Sequence, residues 1–400
     1  MNKVRTKISE IKLFNAIAPV SLKIFPEEDY KVSPEVKDPE AIILRSYNLH
    51  HMEISPKLNA IARAGAGVNN IPVEKCTDHG VVVFNTPGAN ANAVKEAVIA
   101  SMLMSTRNLL DGVQWTKTLT GNEELVPQLV EAGKKKFVGM EIAGKKVGIV
   151  GLGAVGALVA NGLQALGMEV IGYDPYISVD TAWGLSTDVK RAHDIDEVLT
   201  ECDFITLHVP LTDETEGFMN EDVFQKLKKG VQILNFSRGE LVNDADLKVA
   251  IDNGIVGRYI TDFPNDQVLQ MNNVIAVPHL GASTKEAEEN CAIMAAKQVK
   301  DFLETGNIKN SVNFPNVYLP YTNKPRITVV HRNIPNMVGQ IATILAEQSV
   351  NIADMINSGR ESIAYTMIDM DHAVASYDMQ KIEDQIKQIP GVIKLRIIQH

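Results

Sequence analysis

The feature that most constrains the fold is a glycine-rich stretch between a predicted strand and a predicted helix. Residues 145–174 read KKVGIVGLGAVGALVANGLQALGMEVIGYD, an apolar strand, an apolar helix and a second strand. This order is typical of parallel strands joined by a helical crossover. Gly151, Gly153 and Gly156 match G-x-G-x-x-G, in which the glycines permit a tight turn, a close backbone approach and helix–strand packing.

The same stretch predicts a dinucleotide site. A helix N-terminus offers free N–H groups and a positive dipole end to a pyrophosphate. Asp174 ends the second strand, where a carboxylate accepts hydrogen bonds from the adenosine ribose hydroxyls and repels a 2′-phosphate. We therefore predict NAD rather than NADP as the cofactor. A turn aspartate before Pro175 is the alternative interpretation of Asp174.

The rest of the chain predicts an α/β fold class with three parts. More strand–helix units follow the glycine-rich stretch, which indicates a doubly wound Rossmann domain. Before it, AIILRS (41–46), NAIARAG (59–65) and VVVFNTPG (81–88) are predicted strands of a flavodoxin-like parallel domain. The last 75 residues show the strand and helix order βαββαβ of a ferredoxin-like domain.

The length of 400 residues suits two to three domains, because single cores stop growing near about 250–300 residues. Residues 312–325, VNFPNVYLPYTNKP, carry three prolines and are predicted to be a linker. The other predicted domains are a discontinuous substrate-binding domain (1–86 and 287–311), the dinucleotide-binding domain (87–286) and the ferredoxin-like domain (326–400).

Charge and cysteine usage exclude several classes of protein. The net charge is −10 and the longest basic tract is Lys134–Lys136, so we expect no nucleic-acid partner and no membrane surface. Cys76, Cys202 and Cys291 are too far apart for a metal or redox motif, which indicates reduced thiols, a cytoplasmic protein and no metal. The basic first residues lack the apolar core of a cleaved signal.

Three charged residues follow predicted strands of the Rossmann domain. Arg238 follows VQILNFS, Asp266 follows GRYITDF and His279 follows NVIAVP. Ligands of such sheets bind at the carboxyl ends of the strands. Oxidation of a hydroxy acid needs a base, a cation for the carboxylate and a group that orients the base, and these residues could supply all three. Singly, each also fits a surface ion pair, a turn or a structural histidine.

Longer motifs link the chain to a known family. They are RAGAGVNN (63–70), NTPGANANAVKE (85–96), GLGAVG (151–156), HVPLTDET (208–215), NFSRGELV (235–242) and PHLGAST (278–284). With them the chain resembles the D-2-hydroxyacid dehydrogenases, and within these the D-3-phosphoglycerate dehydrogenases of serine biosynthesis. The C-terminal HRNIPNMVGQI and NIADM resemble the ACT regulatory module of that subgroup.

The resemblance implies roles for the catalytic candidates. His279 would take the C2 hydroxyl proton as hydride leaves for the nicotinamide, and Arg238 would bind the carboxylate and polarise the forming carbonyl. The family's acidic residue pairs with the histidine, and Asp266 is the candidate. Where the family has Asp-Val-Phe-x-x-Glu-Pro, residues 262–267 read DFPNDQ, so one residue is missing and the acid is shorter.

The resemblance also implies ligand-binding residues. The implied cofactor contacts are Gly151, Gly153, Ala154, Val155, Gly156, Asp174, His208, Val209, Pro210, Phe236, Ser237, Asp262, Gly281 and Ala282. The implied substrate contacts are Arg45 and Ser46 for a phosphate, which a guanidinium suits, and the backbone of Gly65, Ala66 and Gly67 for a carboxylate. Alternatively, Arg45 is a surface charge at a strand end.

The implied effector site lies in the C-terminal module. The subgroup's H-x-N-x-P-G is replaced by His331–Asn336, and asparagine tolerates the positive φ that glycine favours. His331, Asn333 and Asn351 are the candidate ligands of L-serine. Alternatively, the module only builds the oligomer, for which the family expectation is a dimer or tetramer.

The implied activity is NAD-dependent oxidation of 3-phospho-D-glycerate to 3-phosphooxypyruvate, the first step of L-serine biosynthesis, with feedback by L-serine. One alternative keeps the chemistry and changes the substrate to glyoxylate, D-lactate or another short 2-hydroxy acid. Another is an NAD-sensing regulatory protein that has kept the fold. Intact Arg238 and His279 favour an enzyme.

Overall fold

The computed structural model describes residues 8–371 and 377–399, so the basic start of the chain lies outside the described residues. The chain forms two compact units. Unit 1 comprises Met1–Ala89 and Glu288–His400, and unit 2 comprises Asn90–Ala287. Each unit has its own apolar core.

Unit 1 begins with a five-stranded parallel sheet whose order is β2-β1-β3-β4-β5. Its strands are β1 (Ser9–Leu13), β2 (Tyr30–Ser33), β3 (Ala41–Leu44), β4 (Ala60–Arg63) and β5 (Val82–Phe84). The order 2-1-3-4-5 is that of flavodoxin-like folds. Helix α1 (Val73–Asp78) connects β4 to β5.

Unit 2 is built on a seven-stranded parallel sheet with the order β12-β11-β10-β9-β6-β7-β8. Its strands are β6 (Lys146–Val150), β7 (Glu169–Tyr173), β8 (Lys190–Arg191), β9 (Phe204–Leu207), β10 (Val231–Asn235), β11 (Val256–Thr261) and β12 (Val274–Ala276). Because the order reverses between β6 and β9, this is the doubly wound Rossmann arrangement with its switch point at β6.

The helices of unit 2 are α2 (Ala91–Thr106), α3 (Leu109–Lys117), α4 (Val126–Gly133), α5 (Ala154–Ala165), α6 (Val179–Trp183), α7 (Ile195–Glu201), α8 (Glu221–Lys226), α9 (Asp244–Asp252) and α10 (Asp266–Leu269). Three of them (α2–α4) precede this sheet in the chain, and the others (α5–α10) lie between its strands in the sequence. Helix α11 (Lys285–Thr305) starts in the last residues of unit 2 and continues as part of unit 1.

The C-terminal part of unit 1 is a four-stranded antiparallel sheet with the order β14-β15-β13-β16. Its elements are β13 (Arg326–Arg332), α12 (Met337–Glu347), β14 (Ile352–Arg360), β15 (Ile363–Met370), α13 (Met379–Lys387) and β16 (Val392–Ile398). This is the βαββαβ arrangement of ferredoxin-like folds. The three sheets confirm the predicted fold class.

Both faces of the C-terminal sheet are covered within unit 1. Ile327 and Val329 pack with the apolar residues of α12 and α13. On the opposite face, Tyr365 and Met367 of β15 belong to the core that also holds Phe302 of α11. Alternate strand residues point to opposite faces, so the central strands β13 and β15 are buried between the helices of the sheet and the rest of unit 1, whereas the edge strand β14 is half-buried to exposed.

Residues 312–325, which we expected to be a linker, contribute to this core. Phe314 and Val317 are only 1% and 2% exposed. The Asn313 side chain accepts a hydrogen bond from the Val83 N–H at 2.8 Å and donates to the Val81 carbonyl at 2.9 Å. The segment is therefore a packed connection, and the domain boundaries themselves stay a prediction.

A buried arginine completes the packing of this connection. All five N–H donors of Arg326 are used: Nε and Nη2 bind the Asp369 carboxylate at 2.5 and 2.9 Å, and Nη1 and Nη2 reach three carbonyls at 2.7–3.1 Å. Those carbonyls belong to Thr305, Leu319 and Pro320. Arg326 is 0% exposed and Asp369 1%, so this ion pair joins the C-terminal sheet to the rest of unit 1 without solvent.

Candidate functional site

The glycine loop between β6 and α5 has the geometry that its sequence predicts. Gly151 has φ +92°, in the left-handed region that glycine tolerates best. A Cβ on Gly156 would lie 1.9 Å from the Gly151 carbonyl oxygen, so any side chain there would push the helix off the strand. A Cβ on Gly153, by contrast, would meet nothing within 4 Å. Open space at the start of a helix fits the approach of a pyrophosphate.

Asp174 is fixed beside this loop. Its Oδ2 accepts the Leu152 N–H at 2.8 Å, and its Oδ1 accepts the Tyr176 N–H at 2.8 Å. Each carboxylate oxygen has two lone pairs, so acceptor capacity remains for ribose hydroxyls. The glycines, the first turn of α5 and Asp174 together fit NAD, and no side chain in this set would contact a 2′-phosphate favourably.

Three other cofactor candidates have side chains that are already engaged. The Phe236 side chain is 7% exposed and lies in the core of unit 2, and the Ser237 hydroxyl donates to the Leu207 carbonyl at 2.7 Å. The His208 ring lies 2.9 Å from the Thr206 hydroxyl, and burial lowers the pKa of His208 to about 4. His208 is therefore neutral at pH 7.

The remaining cofactor candidates lie at the same edge of the sheet. Ala154 and Val155 open α5, Val209 and Pro210 follow β9, and Gly281 and Ala282 follow β12. A Cβ on Gly281 would lie 2.9 Å from an Asp262 carboxylate oxygen, so a glycine is needed for that carboxylate to reach the backbone.

Three neighbouring strands carry the charged residues of the candidate active site. Arg238 follows β10, Asp262 follows β11 and His279 follows β12, and these strands are adjacent in the sheet. The Asn235 side chain donates to the Arg238 carbonyl at 2.7 Å, which fixes the turn after β10. Since the strands are parallel, all three residues lie at the carboxyl edge, where ligands bind in such folds.

Asp262 is the most buried charge of this group. It is 1% exposed, and its Oδ2 accepts the Gly281 N–H at 2.8 Å. Its Oδ1 is buried and has no hydrogen-bond partner among residues 8–371 and 377–399. Burial raises the pKa of Asp262, and the charges of His279 and Arg238 act against that rise. The site thus presents one free acceptor to a ligand donor.

Asp266, the predicted orienting acid, lies at the start of the short helix that follows β11 and its loop. It is the exposed first residue of α10, and its Oδ2 accepts a hydrogen bond from the Gln270 side chain at 2.8 Å. In the described part of the chain, no hydrogen bond joins Asp266 to His279. Asn265 is the N-cap of α10, so Asp266 is the first residue of that helix. Its side chain lies beside that of Gln270, four residues later on the same helix surface. The pairing of Asp266 with His279 therefore stays a prediction.

The predicted phosphate residue lies on a well-anchored loop of unit 1. Asn15 Oδ1 accepts the N–H groups of Ser46 and Tyr47 at 3.0 and 2.8 Å, so the Ser46 amide is not free for a phosphate. Asn70 donates to the carbonyls of Arg45 and Tyr47 at 3.3 and 2.7 Å. The Arg45 guanidinium is 40% exposed and pairs with Glu288 at 2.7 Å. Sequence reasoning assigned neither asparagine a role: nothing local marks Asn15, and the RAGAGVNN motif that ends in Asn70 does not reveal which carbonyls that side chain binds.

The predicted carboxylate cradle needs one correction. The Gly65 N–H donates to the Thr86 hydroxyl at 2.7 Å, so it is not available to a ligand. Gly65 has φ +147°, outside the range of most side chains. Among the hydrogen bonds of the described residues, none uses the N–H of Ala66 or Gly67, so these two amides remain as candidates.

The three effector candidates do not form one site in a single copy of the chain. His331 is 2% exposed, and its ring nitrogens lie 2.8 Å from the Arg332 carbonyl and 2.9 Å from the Thr366 hydroxyl. Asn333 donates to the Glu361 carbonyl, whereas Asn351 donates to Asp371. Glu361 and Asp371 flank opposite ends of β15, which at about 3.3 Å per residue is itself roughly 25 Å long. Asn336 does adopt a positive φ of +66°.

The part of the chain that the structure describes shows neither a membrane-spanning helix nor a cluster of metal ligands. None of its helices is long and apolar enough to cross a membrane. No group of three or more His, Cys, Asp or Glu side chains in that part of the chain could hold a metal ion.

Comparisons with known proteins agree with this geometry. The family model "D-isomer specific 2-hydroxyacid dehydrogenase, NAD binding domain" matches residues 99–281. The chain is 34% identical over 334 residues to the D-3-phosphoglycerate dehydrogenase of Methanocaldococcus jannaschii, covering 81% of this chain and 61% of that protein. It is 30% identical over 385 residues to the D-3-phosphoglycerate dehydrogenase of Haemophilus influenzae, covering 91% and 87%.

Solved structures give the same result. The NAD⁺-bound 3-phosphoglycerate dehydrogenase of Entamoeba histolytica matches with a TM-score of 0.59 and 27% identity, over 78% of this chain and 100% of that chain. A D-mandelate dehydrogenase of Rhodotorula graminis has a TM-score of 0.65 at 18% identity, over 78% and 99%, and so shares the fold. The chain spans 61% and 53% of the length of the Methanocaldococcus and Archaeoglobus fulgidus relatives. The chain belongs to the D-isomer-specific 2-hydroxyacid dehydrogenase family, and it carries that family's NAD-binding domain.

Proposed function

We propose that the chain is an NAD-dependent dehydrogenase that oxidises 3-phospho-D-glycerate to 3-phosphooxypyruvate. The observation that carries the proposal is the placement of Arg238, Asp262 and His279 after three adjacent parallel strands. These residues share one sheet edge with the glycine loop, where NAD supplies the hydride acceptor. Relatives in the same family are named D-3-phosphoglycerate dehydrogenase.

Each residue of the site has a role in this proposal. His279 removes the proton of the C2 hydroxyl as the C2 hydrogen leaves with its electron pair, so that the alcohol becomes a ketone. Arg238 binds the carboxylate and stabilises the negative charge that develops on the carbonyl oxygen. In unit 1 we propose the amides of Ala66 and Gly67 as contacts for a carboxylate and Arg45 as the contact for a phosphate.

The test is NADH-linked turnover of the purified chain with 3-phosphohydroxypyruvate, glyoxylate and pyruvate. We expect kcat/KM to favour the phosphorylated substrate by at least about 100-fold, because hydrogen bonds to charged groups are worth about 1.5–3 kcal/mol each. Equal rates on all three acids would support the broader dehydrogenase alternative. If the chain binds NADH but turns over none of the three acids, the result would support the NAD-sensing alternative.

A substitution at Arg45 tests the phosphate contact separately. Arg45→Gln is expected to raise the KM for 3-phosphohydroxypyruvate about 10- to 100-fold, because it removes charge-assisted bonds to a dianion. Turnover of glyoxylate should stay unchanged. The matched control is Arg332→Gln, an arginine of similar exposure (42%) in another ion pair of unit 1. Equal effects of both substitutions would contradict a phosphate role for Arg45.

We also propose feedback by L-serine through the C-terminal module. The module contacts the end of α1, which precedes β5, through an Arg332–Asp78 ion pair at 3.0 Å, and the turn before β4 through a hydrogen bond from Lys394 to the Leu58 carbonyl. The other ends of those strands lead to Gly65 and Thr86. Millimolar L-serine should lower turnover, and unchanged turnover with no detectable binding would refute the effector role.

The predicted homo-oligomer and location are part of the same proposal. Helices α3 and α4 expose Leu109, Val113 and Leu129, of which Val113 is 52% exposed. An exposed apolar surface of this kind favours association of copies, as a dimer or tetramer. It would also let residues of two copies form an effector site that a single copy does not contain. We propose a cytoplasmic enzyme, consistent with three buried free cysteines.

A further inference from the structure

One side chain in the candidate active site has no role in the mechanism proposed above. Phe263 follows Asp262 directly and lies at the carboxyl end of β11, the strand between those that lead to Arg238 and His279. Its ring centroid is 4.6 Å from that of the His279 ring, with 52° between the ring planes. This separation lies in the range of favourable aromatic pairs.

Phe263 is itself held from two sides. Its N–H donates to the Thr261 hydroxyl at 3.0 Å. A Cβ added to Gly239 would lie 3.3 Å from the Phe263 Cβ, so the backbone next to Arg238 packs directly against this side chain. Phe263 therefore fills the space between the turn that carries Arg238 and the imidazole of His279.

The backbone of the His279 loop is tethered nearby. Asp262 accepts the N–H of Gly281, two residues after His279, at 2.8 Å. The His279 side chain is exposed, and its ring has no hydrogen-bond partner among residues 8–371 and 377–399. The Asp266 carboxylate is engaged by Gln270. The Phe263 ring therefore contacts an imidazole that no hydrogen bond of the described residues orients.

We infer that Phe263 is a positioning residue that holds the His279 imidazole in the orientation needed for proton transfer. The inference rests on the proposed function, since it deepens the role of His279 in that reaction. An exposed imidazole samples several rotamers, and an aromatic contact of this kind favours one of them by roughly two- to tenfold. Small errors in the position of a catalytic group lower turnover strongly.

The kinetic test uses a series at position 263. Phe263→Ala should lower kcat about 10-fold and change the KM for 3-phosphohydroxypyruvate less than about twofold, because the substrate contacts remain. Phe263→Leu keeps the volume but loses the ring and should behave like the alanine variant. Phe263→Tyr keeps the ring and should retain most of kcat. The matched control is Phe218→Ala, another partly buried phenylalanine of unit 2.

A second measurement tests the contact without turnover. In NMR spectra of the free enzyme, the His279 Cε1–H signal, assigned with His279→Gln, should shift in the alanine and leucine variants through loss of the ring current. It should not shift in the tyrosine variant or in Asp266→Asn.

The outcomes separate this inference from the proposed function. If the wild-type chain reduces none of the acids, the proposed function fails, and the NMR series still decides whether Phe263 orients His279. If the wild type is active but Phe263→Ala keeps full kcat, or if the His279 signal does not move, the inference is wrong. If Asp266→Asn alone abolishes turnover and shifts the His279 signal, Asp266 is the orienting group.

Discussion

Replacing Arg326 by methionine is expected to lower the free energy of unfolding of unit 1 by about 3–5 kcal/mol. The guanidinium and the Asp369 carboxylate are both buried, and Asp369 would lose its two hydrogen bonds. Three carbonyls would lose a donor as well. An uncompensated buried charge is far more costly than the removal of both partners. The C-terminal sheet should therefore separate from the core of unit 1 first.

The measurement must report on unit 1. Both tryptophans, Trp115 and Trp183, lie in unit 2, so their fluorescence would follow the wrong part of the chain. Urea denaturation followed by far-ultraviolet circular dichroism, with hydrogen exchange of β13 and β15, is suitable. The matched control is Arg332→Met on the same strand. This substitution removes an exposed ion pair with Asp78, which contributes at most about 1 kcal/mol to the free energy of unfolding.

The double variant Arg326→Met/Asp369→Leu provides the decisive comparison. It removes the pair without leaving a buried charge, so it should recover most of the stability lost in Arg326→Met. If the single and double variants are equally unstable, the loss reflects packing of the arginine side chain rather than the unpaired carboxylate. If Arg326→Met is as stable as wild type, the buried ion pair does not hold the C-terminal sheet.

The parts of the fold that could be predicted are those with strong local signals. The β6–α5–β7 unit was predicted because its glycines and apolar runs are contiguous, and β3, β4 and β5 because each is a short, mostly apolar run before turn residues. Strands β1 and β8 were not predicted. β1 alternates buried and half-exposed residues over five positions, and β8 is two exposed residues long. Short strands of this kind depend on their neighbours for pairing, which local sequence does not reveal.

Burial of the connection before β13 could not be predicted either. Prolines indicate a break in regular structure, and they do not indicate whether the broken segment packs. Phe314 and Arg326 are buried because α11 and β15 lie on both sides of the segment, and that arrangement is long-range. A charged residue at the start of a strand is usually exposed, so Arg326 gave no sign of its burial.

In the candidate site, sequence reasoning identified residue types but not their partners. Arg238 and His279 were predicted from their places after strands, and the structure puts both at the same edge of one sheet. Gly65, His331 and Asp266 were also predicted from motifs, but their polar groups are bonded to Thr86, Thr366 and Gln270. Which donors and acceptors remain free is a property of the packed molecule.

The second large effect is expected at His279. The substitution His279→Gln should lower kcat about 10²- to 10⁴-fold, because glutamine can hydrogen-bond to the C2 oxygen but cannot accept its proton. NADH affinity, measured by nucleotide fluorescence, should change little, since the glycine loop and Asp174 are untouched. The matched control is His193→Gln. His193 is an exposed histidine of unit 2, and its backbone N–H donates to the Glu197 carboxylate at 3.3 Å.

The size of this loss distinguishes a catalytic base from a residue that only supports the loop. Replacing a residue that only supports the loop would lower NADH affinity and kcat together, because the neighbouring Gly281 is hydrogen-bonded to Asp262, next to the cofactor candidates. Replacing a catalytic base lowers kcat alone, and the residual rate then no longer depends on the ionisation of the histidine. If His279→Gln retains more than about a tenth of kcat, proton transfer has another route, and the proposed mechanism is wrong at its central step.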